Sequence, residues 1–142
     1  MTPHADPPAG HFSEVAADEC WSLLGTTTVG RLAFAGDDGI VVIPVNFIVL
    51  DESVYFRTSP NTVVAPLAEG RDDVAFEVDH HEDMLQRGWS VLLHGSTAEV
   101  DDAEAEGARR SSSRLGPWAP GDRSLMIKLT PNRISGRRVS LH

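Results

Sequence analysis

Asp79-His80-His81-Glu82-Asp83 is the densest run of metal-ligating side chains in this sequence of 142 residues. Neighbouring residues on an extended strand point to opposite faces, and no second ligand follows at the i, i+4 spacing of a helix. The run therefore lacks the geometry of a metal site. Lys128 is the single lysine among 12 basic residues, and no glycine-rich loop precedes it in SLMIKLT. That argues against a Walker phosphate loop and against Schiff-base chemistry. Cys20, the only cysteine, has no internal disulfide partner and no clustered ligands for zinc or iron–sulfur, and it reads as a buried structural thiol. His94 reads as a strand-surface or interface histidine rather than an acid or base. Pro44 is different in kind. It lies inside a β-rich run and lacks a backbone N–H, so it must sit at an edge, at a bulge or where the ladder is interrupted, leaving backbone groups free to meet something else.

The elements that position these residues follow from pattern. Residues 1–13 hold three prolines and two histidines without apolar period and read as a mobile tail ahead of one domain over residues 14–142. Over residues 16–24, Cys20, Leu23 and Leu24 fall at i, i+3, i+4 behind Asp18 and Glu19. This predicts a short amphipathic helix that stops at Gly25. Residues 29–35 and 40–49 are β-rich runs separated by Gly36-Asp37-Asp38-Gly39, a hairpin turn by composition. In the second run Val41, Ile43, Val45, Phe47 and Val49 share one face, and Ile40, Val42, Pro44, Asn46 and Ile48 the other, so neither face is simply solvated. A turn at Asp51-Glu52-Ser53 leads to a strand over residues 54–58. Asn61 is then the expected N-cap of a helix over residues 62–68 that Pro66 shortens. Strands over residues 73–79 and 88–100 form another hairpin, residues 101–114 an exposed helix, residues 115–122 a loop carrying Trp118, and residues 124–130 and 133–139 two closing strands. Six or seven strands joined by hairpins, with helices inserted between them, predict a mainly β fold: an antiparallel β-barrel with short helices.

Composition narrows the function classes. A net charge of -9 argues against nucleic acid, whose backbone is held by clustered Lys and Arg. No apolar run reaches the roughly 20 residues that cross a bilayer, and MTPHADPPAGH lacks the marks of a signal peptide, so no membrane partner and a cytoplasmic location are expected.

The succession ECWSLL, VGRLAF, VIPVNFIV, VYFRTSPNT, VAFEVD, GWSVLLHG and a closing arginine-containing strand resembles the pyridoxamine 5′-phosphate oxidase-like FMN-binding split-barrel proteins. It is most similar to the small bacterial group that includes nitroimidazole-resistance reductases. The resemblance implies a flavin slot in which the backbone around Pro44 and Val45 and the Asn46 amide meet the isoalloxazine ring. It places the ribityl and phosphate groups at Arg57, Thr58, Ser59 and Thr62, where an arginine, hydroxyls and helix-start amides suit a phosphate dianion. Trp89 and Ser90 match a flavin-proximal segment, in which an indole can wall the ring and a serine can donate to it, although barrel or interface packing accounts for Trp89 as well. Arg137 and Arg138 can reach a partner's cofactor phosphate or serve as surface cations. In one place the chain departs from the family: Asn61-Thr62-Val63 stands where Gly-Thr-Lys is common, and Val63 removes a phosphate-side cation.

The implied function is an FMN-dependent oxidoreductase that moves electrons from a reduced nicotinamide or deazaflavin donor to a small organic substrate, with no side chain named as catalytic because the cofactor carries the chemistry. The rival readings are an F420-dependent reductase on the same barrel and a flavin- or haem-binding sensing or storage module. A homodimer is expected, because a barrel of this size cannot enclose FMN alone and apolar residues occupy both faces of residues 40–49.

Overall fold

The computed structural model of the chain describes residues 10–112 and 124–140. Its elements run β1 (His11–Val15), α1 (Ala17–Leu24), β2 (Val29–Gly36), β3 (Gly39–Leu50), β4 (Ser53–Thr58), β5 (Arg71–Glu82), β6 (Arg87–Glu99), α2 (Asp102–Ser111) and β7 (Leu125–Ser140), with short 3-10 turns at Ala65–Glu69 and Asp83–Leu85. All the strand pairings are antiparallel, in the order β1-β7-β4-β3-β2-β5-β6, and β6 pairs back onto β7 to close a ring. This is the antiparallel barrel that the hairpin pattern predicts, in the split form that the family resemblance implies.

The pleat sorts the side chains. Leu32, Phe34, Phe47, Phe56, Val74, Phe76, Val78, Val91, Leu93, Ile127 and Leu129 point inward and form one buried core. At its centre Phe47 and Phe76 meet edge to face, with ring centroids 5.0 Å apart. The Phe76 ring lies directly over Gly30, where any Cβ would run into it. Helix α1 closes one end of the barrel with Cys20 and Leu24, both fully buried. The Cys20 thiol lies 3.6 Å from the Val15 carbonyl, and burial first, then Glu19 and Asp18, push its pKa up, which makes it a packing group. Helix α2 begins at Asp101, whose carboxylate accepts from the Glu104 N–H at 2.8 Å, and it lays Ala105 and Ala108 on Ile48, Tyr55 and Met126. Lys128 pairs with Glu104 at 3.6 Å and so helps fasten α2 to the barrel.

Three local expectations are corrected. The closing pair of strands is one continuous β7, because a register shift between His94 and Gly95 takes up Asn132 as the extra residue and keeps Pro131 opposite Gly95. Gly95 permits this, since a Cβ there would collide with the Thr130 carbonyl. Residues His11 to Ser13, assigned to the tail by composition, pair with Arg138, Val139 and Ser140 in β1. The helix over residues 62–68 is only the 3-10 turn Ala65–Glu69, and Asn61 does not cap it. Helix α1 does stop at Gly25, which is right-handed, and the Thr26 and Thr27 hydroxyls donate to the last carbonyls, of Leu23 and Leu24, at 2.7 and 3.0 Å. The loop over residues 115–122, with Trp118, lies outside the described residues. Among the described residues no helix is long and apolar enough to cross a membrane.

Candidate functional site

β3 is twelve residues long, but it pairs with β4 only from Phe47 to Leu50 among the described residues. Its earlier half, including Pro44 opposite Arg31, stays on β2. The two strands therefore part at Asn46 and Arg57, and Pro44 supplies no N–H with which to hold the gap shut. The wedge is a cleft of about 390 Å³ lined by Ile43, Pro44, Val45, Asn46, Arg57, Thr58, Thr62 and Val64. Six of the residues that sequence alone nominates thus converge there from two separate segments.

The polar wall of this cleft is local in origin. The Thr58 and Thr62 hydroxyls hydrogen bond to each other, and Thr62 Oγ1 donates to the Ser59 carbonyl at 3.0 Å. Ser59 shapes the turn through that carbonyl and does not itself line the cleft. Val63 is half exposed and lines a neighbouring cleft of about 660 Å³ together with Asp37, Asp38, Glu69 and Arg71. It is not a core residue, so a longer side chain fits there without disturbing the packing.

Trp89 and Ser90 sit elsewhere, and they part company. As adjacent residues of β6 they face opposite sides of the sheet. Ser90, with Glu77, Leu92 and Arg137, lines a cavity of about 460 Å³ on the outer side. Trp89 lines another of about 580 Å³ with His80, Arg87 and Arg138. In the same way His80 stands against Trp89, with ring centroids 6.3 Å apart, while His81 turns to Asp79 at 3.5 Å, so the two histidines do not converge. His94 accompanies Arg133 at 3.1 Å.

A charged group that sequence reasoning passed over lies between these places. Arg31 Nη1 donates to Glu77 Oε1 at 3.1 Å and to Asp79 Oδ2 at 2.9 Å. In register the trio spans β2 and β5, between Pro44 on β3 and Ser90 on β6. The signal was present in VAFEVD, where two carboxylates occupy the face opposite Val74, Phe76 and Val78. Burial first, then Asp79, push the Glu77 carboxyl up to about 7, whereas a hydrogen bond from Glu77, together with Arg31, holds Asp79 below its usual range. A carboxyl raised in the folded state stabilises fully below its unfolded value near 4.5, and that contribution fades as pH rises through 7. Glu77→Gln keeps the neutral shape without the titration. Its stability relative to the parent protein should therefore climb between pH 5 and pH 8 in urea melts, and an equal difference at both pH values would contradict the assignment.

The fold and the sequence both have relatives. The protein is 31% identical to the FAD binding protein from Mycobacterium smegmatis, covering 90% of this chain and 98% of that one with a TM-score of 0.76. It is 29% identical to the uncharacterized protein Rv0080 of Mycobacterium tuberculosis over 130 residues, 89% of this chain and 84% of the relative. An FAD-binding protein from Mesorhizobium loti, 23% identical, shares the fold with a TM-score of 0.77 over 93% of this chain and 99% of that one. A family model described as pyridoxamine 5′-phosphate oxidase matches residues 16–138, the barrel from α1 through β7, and the chain belongs to that family.

Proposed function

We propose that the protein is a flavin-binding oxidoreductase and that the cleft between the parted strands β3 and β4 holds the cofactor. The observation that carries this reading is the convergence of Pro44, Val45, Asn46, Arg57, Thr58 and Thr62 on one cleft, an apolar wall facing a cation and hydroxyls. Such a lining suits a planar ring joined to a phosphate. Family membership and a 31% identical FAD-binding relative support it. The flavin supplies the electron transfer when bound. The chain binds and orients it, Pro44 and Val45 against the ring and Arg57, Thr58 and Thr62 toward the phosphate. FMN is the cofactor the family resemblance implies, and FAD is the one its relative names.

A second copy of the chain completes the reading. Val29, Ile40 and Val42 on the outward face of β2 and β3 are 50%, 81% and 62% exposed, an apolar strip beside the cleft. A homodimer covering that strip could bring Ser90 of one copy toward the cleft of the other, which a single chain does not do. Light scattering at micromolar concentration should report a dimer, and a monomer in the presence of flavin would rule this part out.

The visible spectrum of freshly purified protein tests the cofactor: bands near about 370 and 450 nm indicate flavin, and a Soret band indicates haem. The mass of the heat-released cofactor separates FMN from FAD. Colourless protein that takes up neither flavin would overturn the proposal. Dye reduction with NADPH and with reduced F420 then identifies the donor. Val63→Lys restores the cation common in the family at an accessible position, although Asp37, Asp38 and Glu69 compete for it. It should tighten FMN by up to about tenfold and riboflavin hardly at all, with the gain shrinking as salt rises, as fluorescence-quenching titrations would show.

A further inference from the structure

The ring closes through a short seam. Strands β2 and β5 are in register at three positions, Arg31 with Glu77, Leu32 with Phe76 and Ala33 with Ala75, the fewest of any strand pair among the described residues. Alternation along β2 says which groups hold it. The Thr28 carbonyl accepts from the Phe47 N–H of β3 at 3.1 Å, so Leu32, an even number of residues on, also turns its backbone groups to β3. Arg31 and Ala33 turn theirs to β5, and the seam rests on two hydrogen-bonded pairs, Arg31–Glu77 and Ala33–Ala75.

Side chains pin the seam at both ends. At one end the Arg71 guanidinium donates to the Ala35 carbonyl. At the other, Arg31 on β2 holds Glu77 and Asp79 on β5. Beyond that point the strands part: β5 continues to Glu82 against β6, while Gly30 and Val29 stay with β3. The end at which the strands part is the end from which the seam can fray. Fraying there frees Phe76, whose ring covers Gly30, and Gly30 is paired with Val45 in the wall of the β3–β4 cleft.

This end answers to protons. While Glu77 is protonated it donates to Asp79, and Arg31 neutralises the one negative charge that remains. Once Glu77 ionises, that hydrogen bond is lost and two carboxylates face one guanidinium. On β6 the positions opposite, Leu92 and Ser90, carry no charge, and neither does Pro44 opposite Arg31 on β3. His81 lies 3.5 Å from Asp79, Glu14 of β1 and Arg137 of β7 line the same outer cavity as Glu77, and His94 lies further along that face of β6 beside Arg133.

We propose that Arg31, Glu77 and Asp79 form a proton-operated latch on the β2–β5 seam, closed while the two carboxyl groups share a proton and released when that proton is lost. The latch belongs to the barrel and does not depend on the flavin reading. Glu77, pushed up to about 7 by burial first and then by Asp79, returns to its ordinary value near 4.5 when the seam opens. The latch therefore holds fully below 4.5 and weakens as pH rises through 7. Asp79, held low chiefly by the hydrogen bond from Glu77, acts in the opposite sense, but its contribution is lost only in stronger acid.

Hydrogen exchange of the full chain, followed amide by amide by NMR at pH 5 and pH 8 and divided by the intrinsic rate at each pH, tests the latch. The Arg31, Ala33, Ala75 and Glu77 amides should lose about tenfold of their protection between the two, a size limited by the partial exposure of both carboxylates. At pH 8 they should also exchange at least about tenfold faster than amides inside β6 and β7, the mark of a seam that opens alone. Glu77→Gln, which keeps the donor and cannot ionise, should hold the four amides at their pH 5 protection throughout. It retains His81 and His94, so a loss caused by a histidine persists in it. Asp79→Asn removes the second charge and should shrink the loss, whereas Glu82→Gln, on the same strand but paired with Arg87, should leave it intact. Constant protection in the parent protein overturns the proposal. So does a loss that survives Glu77→Gln, or one in which the seam exchanges no faster than β6 and β7.

Discussion

Phe76→Ala should destabilise the protein by about 3–5 kcal/mol and lower its Tm by roughly 10 to 20 °C, the largest stability effect expected of any single truncation. Phe76 is fully buried, meets Phe47 edge to face and fills the space that Gly30 leaves vacant. Removing the ring forfeits its burial and opens a void between β2 and β5 that the surrounding strands can close only in part. Gly30 offers a check on the geometry through a change of sign. Alone, Gly30→Ala forces its methyl into the Phe76 ring and must destabilise. Combined with Phe76→Ala, the same methyl enters the new void and should recover part of the loss. Denaturant melts of the two single variants and the double variant measure this, and strictly additive losses would refute the contact. The effect extends to the cleft, because Gly30 is paired with Val45 on β3. Phe76→Ala protein that remains folded should therefore also hold flavin less tightly.

Arg57→Gln should weaken FMN by about ten- to a hundredfold while leaving riboflavin within about twofold, the largest effect expected on binding. Arg57 lines the cleft beside Thr58 and Thr62 and lies at the end of β4 farthest from its turn to β3. A guanidinium there gives a phosphate charge-assisted, directional hydrogen bonds that a neutral amide cannot match. Riboflavin lacks the phosphate, so its binding measures how far the substitution disturbs the ring site. Equal losses for both flavins would place Arg57 against the ring rather than the phosphate. No loss for either would remove the flavin from this cleft. Added salt should narrow the gap between the parent protein and the variant for FMN, since part of the difference is a screened charge interaction.

Hairpins were the most legible part of this fold. The Gly36-Asp37-Asp38-Gly39 turn and the alternation on either side of it settle β2 and β3 by local chemistry alone, and Asp51 and Glu52 turn β3 into β4 through left-handed backbone at both residues. β7 was not legible as one strand, because Pro131 and Asn132 look like a break, and the bulge at Asn132 is made possible by Gly95 on another strand. The segment after Thr62 looked helical by composition, yet at Pro66 and a chain crossing to β5 it completes only a 3-10 turn. For the cleft, motifs were enough to nominate Pro44, Asn46 and Arg57 together. What they could not convey was parity: Trp89 and Ser90 read as one motif, but a strand sends neighbours to opposite faces, and the two reach different cavities. The trio of Arg31, Glu77 and Asp79 was missed because its members lie 46 and 48 residues apart and meet only through the register of β2 and β5.

The place of β7 in the barrel sets a condition on how the chain can be made. β7 is the last of the described strands, yet it pairs with β1, β4 and β6. While a ribosome still covers those residues, β4 and β6 each lack a neighbour and β1 has nothing to pair with. Hairpins can form early, since their ends are close along the chain, but the ring cannot close until β7 has emerged. The nascent protein therefore passes through an open sheet with two unsatisfied edges and an uncovered Phe-rich face, the state most prone to sticking to other chains. Truncation inside β7 would make that transient state permanent.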